Sequence, residues 1–84
     1  DEPTVKKALD IYDALPYGAY YRDMAVAWGL SVYCVKYPEL ITGYLEHSPI
    51  SIKVKLMAAQ KIRDSRRVSD DYKKRITCIV NAQR

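Results

Sequence analysis

Apolar residues recur at three- and four-residue steps along most of the chain. Val5, Ala8, Leu9, Tyr12 and Leu15 keep that period behind Pro3, which suits a first helical position, so residues 3–15 are predicted to form an amphipathic helix. Pro16 and Gly18 in the following Leu-Pro-Tyr-Gly stretch end it. Tyr21, Met24, Ala25 and Trp28 then make a second apolar stripe, with Gly29 placed as its C-terminal cap. Ser31 is placed to cap a third helix holding Val32 and Val35. Pro38 limits that helix to about two turns or kinks it, because the residue before a proline is pushed towards extended geometry. Pro38 also suits the first turn of a further helix with Leu40, Ile41, Tyr44 and Leu45 on its apolar side.

The period is double-valued from Ser48 onward. Ile50, Ile52, Val54 and Leu56 alternate as in a strand, whereas Ser48-Pro49 opens a helix well and Ile52, Leu56 and Ala59 share a helical face. The helix formers in Met57-Ala-Ala-Gln-Lys-Ile-Arg-Asp64 favour helix; a strand over residues 50–57 would indicate a winged variant. After a polar connection, Ser69, Asp70 and Asp71 make a helix start whose carboxylates suit the positive end of the dipole, and Val68, Tyr72, Ile76 and Ile79 supply a buried face. The pattern therefore predicts an all-α fold, a compact bundle of five or six short helices forming one small domain over residues 1–84.

Charge divides the chain. Residues 1–52 carry four bases against seven acids, net −3, and residues 53–84 carry ten bases against three acids, net +7. A polyanion is expected to prefer the C-terminal part. No apolar run reaches the roughly 18 residues of a membrane span, and the first residues lack the order of a signal peptide. A cytoplasmic location is expected, although a chain that does not open on methionine is consistent with processing or excision from a longer one.

Catalysis finds little footing. His47 has no nucleophile or metal partner at a usual spacing, Cys34 and Cys78 are far apart and are read as reduced thiols, and Asp10 and Asp13 fall on an exposed helical face. No enzyme activity, metal or cofactor is expected.

Ala25, Gly29 and Val35 stand at the offsets of the small crossing residue, turn glycine and anchoring branched residue of repressor and Cro-like helix-turn-helix regulators, and Leu30-Ser31 follows the glycine as in that family. Over about 20 residues the chain thus resembles a helix-turn-helix DNA-binding regulator. The resemblance implies a helix-turn-helix-like hairpin at residues 20–37. Ser31, Val32, Tyr33 and Lys36 would then face DNA, with Arg22 near its backbone.

Lys61, Arg63, Arg66, Arg67, Lys73 and Lys74 cluster in the basic segment and are the candidate phosphate contacts. Eight tyrosines and no phenylalanine favour an interaction surface, for which Tyr17, Tyr20, Tyr21 and Tyr37 are candidates. The expectation is a small transcriptional regulator of the style encoded by phages and plasmids, binding duplex DNA, with a second copy and a protein as candidate further partners and no membrane. The alternative is a helical protein-interaction module using a tyrosine-rich face, and RNA binding through the same residues is a third reading.

Overall fold

Five helices account for most of the chain in the computed structural model, which describes residues 1–84: α1 (Glu2–Ala14), α2 (Tyr20–Lys36), α3 (Pro38–His47), α4 (Ile52–Asp64) and α5 (Asp70–Asn81). Three of them start on a side-chain cap that satisfies an otherwise orphaned backbone N–H. Asp1 accepts from the amide of Thr4 at 3.0 Å, Ser51 from Val54 at 3.3 Å and Ser69 from Tyr72 at 3.2 Å. Pro3 and Pro38 occupy the first turns of α1 and α3, where a missing N–H costs nothing.

The sequence reading fails at α2. A continuous helix runs from Tyr20 to Lys36, so the predicted hairpin with its turn at Gly29 does not form. Gly29 has no positive φ, which only Gly18 adopts, at 112°. Its missing side chain serves packing instead, because a Cβ there would run into the hydroxyl of Tyr12. Ser31 donates to the carbonyl of Trp28 at 2.6 Å and caps nothing. The break falls at Tyr37, whose N–H closes the last turn on Tyr33 at 2.9 Å before Pro38 opens α3.

The buried side of α2 also differs from the predicted stripe. Val26, Ala27, Leu30 and Cys34 face the core together with Asp23 and Ser31, while Tyr21, Ala25 and Trp28 face outward and Met24 is half-buried. Small and branched side chains win because α2 lies against α4, where Ala27, Ala58 and Ala59 let two backbones approach closely. α4 begins on Ser51, not at Ser48-Pro49, and residues 50–57 contain no strand, so there is no wing.

One cluster of 15 buried apolar residues joins all five helices, from Val5 and Leu9 of α1 to Ile76 and Val80 of α5. Lys55 is buried beside it. Its ammonium donates to the Ser48 carbonyl at 2.9 Å and to Gln83 Oε1 at 2.7 Å, and burial holds its pKa below the ordinary lysine value. The Gln83 amide in turn donates to the Leu45 carbonyl at 2.9 Å, so the C-terminal end is tied to α3 and α4. Both cysteines are free thiols, Cys34 buried, with its pKa pushed up to about 11 by that burial, and Cys78 exposed.

Candidate nucleic-acid interface

Helical spacing decides which bases meet. Arg63 leaves α4 on the side that packs against α5, where Lys73, Lys74 and Thr77 emerge from the facing helix. These four residues line one shallow groove with Cys78 and Asp70, the latter its single carboxylate. The Arg63 guanidinium is held in place by Thr77 Oγ1 at 3.2 Å and Gln60 Oε1 at 2.7 Å. Both acceptors are neutral, so the positive charge is oriented without being cancelled. Arg66 is exposed in the connection between the two helices.

Lys61 and Arg67 go elsewhere. They line a hollow with Trp28, Ser31, Val32 and Val35 of α2, together with Asp64 and Ser65. Lys61 and Arg63 are two positions apart on α4 and therefore serve different sides of that helix. Arg75, in the same basic run, is spent on a bidentate pair with Glu39 at 2.7 and 3.0 Å, which lowers the pKa of that carboxyl.

The base-reading set suggested by the helix-turn-helix resemblance is not assembled. Ser31 is buried, Tyr33 is half-buried, and only Lys36, Val32 and Arg22 reach solvent. Lys36 lies over the Tyr37 ring, 5.6 Å from its centroid, and Arg22 donates to the Pro16 carbonyl at 2.9 Å. The cause is the continuity of α2, which puts Ser31 on the core side when the chain does not turn at Gly29.

The four tyrosines predicted at an interface also divide. Tyr20 and Tyr21 are 64% and 86% exposed and meet edge to face, with ring centroids 5.6 Å apart. Tyr17 is half-buried and donates its hydroxyl to the Tyr12 carbonyl, and its pKa is raised to about 12, mainly by burial. Tyr37 is half-buried at the break between α2 and α3. Sequence reading missed the outward placement of Trp28, which is 62% exposed. The available signal was that α2 has two apolar sides, and only one can face the core.

No family model matches the chain, and no curated protein or solved structure is significantly similar to it.

Proposed function

We propose that this is a small DNA-binding regulator that grips the phosphate backbone with the groove between α4 and α5. The observation that carries the reading is the convergence of Arg63, Lys73 and Lys74 from two helices on one concavity that holds one carboxylate. Arg63 offers its remaining guanidinium donors to a phosphate in a fixed orientation, and the two lysines act as point charges beside it. Such contacts release counterions and give affinity without reading sequence.

Duplex is favoured over single-stranded nucleic acid because no aromatic ring lines the groove. Proteins that hold single strands usually stack bases on such rings. Regulation would follow from occupancy of the DNA, with no step of chemistry.

The test is fluorescence anisotropy of a labelled duplex at about 50 and 200 mM salt. Three phosphate contacts should weaken binding about 40-fold over that range, and Lys74→Gln should cut the ratio to about 12-fold. Binding should also shield Cys78, which shares the groove, from alkylation. No affinity at the lower salt, or a salt slope untouched when Arg63, Lys73 and Lys74 are all replaced by glutamine, would overturn the reading.

A further inference from the structure

The outer face of α2 has a regularity that the fold does not use. Tyr21, Ala25, Trp28, Val32 and Val35 follow one another at steps of four, three, four and three residues. That is the spacing by which one helix presents a seam to another. The first four are exposed and Val35 is half-buried, with Trp28 and Val32 at 62% and 42% exposure. A tryptophan and a valine left in water next to a solvent-facing tyrosine form an apolar strip unmatched by any neighbouring element.

The strip has bases on both flanks. Lys36 and Arg22 stand on α2 itself, and Lys61 and Arg67 border the hollow beside Trp28 and Val32. The one acid lining that hollow is Asp64, whose carboxylate accepts from Gln60 at 3.0 Å. Asp23, the only acid on α2, is buried and accepts from the Gly18 amide at 3.3 Å. The strip is therefore apolar along its centre and positive along its edges.

The geometry points to a docking site for an acidic amphipathic helix of another protein, laid along α2 with its apolar side on Trp28 and Val32 and its carboxylates on Lys61, Arg67 and Lys36. The strip runs about 21 Å from Tyr21 to Val35, which matches four turns of a partner helix. Ala25 leaves a notch between Tyr21 and Trp28 for one partner side chain, and the hollow bounded by Trp28, Val32 and Lys61 takes another.

A second copy fits less well. Antiparallel pairing of two α2 helices would set Arg22 of one against Lys36 of the other, and parallel pairing would set the Arg22–Lys36 edge of one against the Lys61–Arg67 edge of the other. Both arrangements oppose like charges across the seam. The site is independent of the DNA reading, because its residues are not those of the α4–α5 groove.

Trp28 is the only tryptophan, so its emission reports occupancy directly. The probe is a synthetic peptide of about 18 residues with leucines at heptad seam positions and glutamates flanking them, compared with the same peptide flanked by lysines. The acidic peptide should shift Trp28 emission to the blue and bind at least about tenfold more tightly than the basic one. In Lys61→Glu/Arg67→Glu, checked for intact helicity by circular dichroism, the preference should reverse. Equal binding of both peptides, or a preference that survives the charge reversal, would overturn the proposal. So would a Trp28 environment already buried by self-association in sedimentation, or a response to a single-stranded oligonucleotide in place of the acidic peptide.

Discussion

At the scale of single residues, two helical glycines have opposite roles. Gly29 leaves room for the Tyr12 hydroxyl, whereas the space around Gly43 in α3 is open. Gly43→Ala should therefore gain up to about 1 kcal/mol from helix propensity. Gly29→Ala should lose that gain to displacement of Tyr12 and recover it when Tyr12→Phe removes the obstructing oxygen. Urea unfolding of both single variants and the double variant should give a coupling of about 1 kcal/mol or more, and additive effects would show that Tyr12 yields freely. Gly29 also shows why a turn was predicted where none forms. A glycine four residues after an alanine can mean a turn or a close approach, and sequence spacing is the same for both.

At the level of elements, the breaks at the prolines were legible, and so were the buried sides of α1, α3 and α5; the length and the facing of α2 were not. Pro16 with Gly18 and Pro38 each end a helix where the sequence says they must, and Ser69 caps α5 as read. These are local effects of ring closure and side-chain hydrogen bonding, complete within a few residues. Which side of α2 is buried depends on α4, which begins at Ile52, 16 residues after α2 ends at Lys36, and a helix with two apolar sides does not reveal it. The basic groove was half-legible for the same reason. The run from Lys61 to Arg75 was visible, but its division among the groove, the α2 hollow and the Glu39 pair depends on helix rotation.

The close of α5 offers another element-scale test. Gln83 bonds Lys55, the Leu45 carbonyl and the Ile79 carbonyl, the last at 3.1 Å, so this exposed residue satisfies a buried ammonium. Gln83→Ala should destabilise the protein by about 1–3 kcal/mol, measured by thermal or urea unfolding, because Lys55 loses one of its two acceptors. A neutral result would mean that the ammonium reaches water once the amide is gone.

For the whole molecule, the tyrosine-rich composition sets a limit at alkaline pH. Burial leads the causes that raise Tyr12, Tyr17 and Tyr72 to about 12, and it raises Tyr44 further, aided by the hydrogen bond to Asp13. The unfolded chain loses these protons near the ordinary value of about 10, so their contribution to stability is complete below that pH and declines as pH rises towards 12. Lys55 works in the opposite sense. Its folded pKa is lowered, so its contribution improves as pH rises from that value to the ordinary lysine value. Cys34, raised to about 11 by burial, works in the same sense as the four tyrosines, and five groups against one should make unfolding progressively easier above about pH 9 to 10. Far-ultraviolet circular dichroism should lose helix in step with the appearance of tyrosinate absorbance from these four residues.

The position of α4 between two surfaces has a consequence for how they can be used together. Lys61 lines the hollow beside α2 and Arg63 the α4–α5 groove, on sides of α4 separated by about the 10 Å width of a helix. A carboxylate-rich helix and a phosphate backbone are both anionic, and that separation is about one Debye length at 0.1 M salt. If both proposed ligands bind, simultaneous occupancy should be antagonistic, each weakening the other by the same factor, as linkage requires. Added salt should relax this antagonism even as it weakens each attachment, and under both proposals the α4 wall would let an acidic protein loosen the hold on DNA without touching the groove.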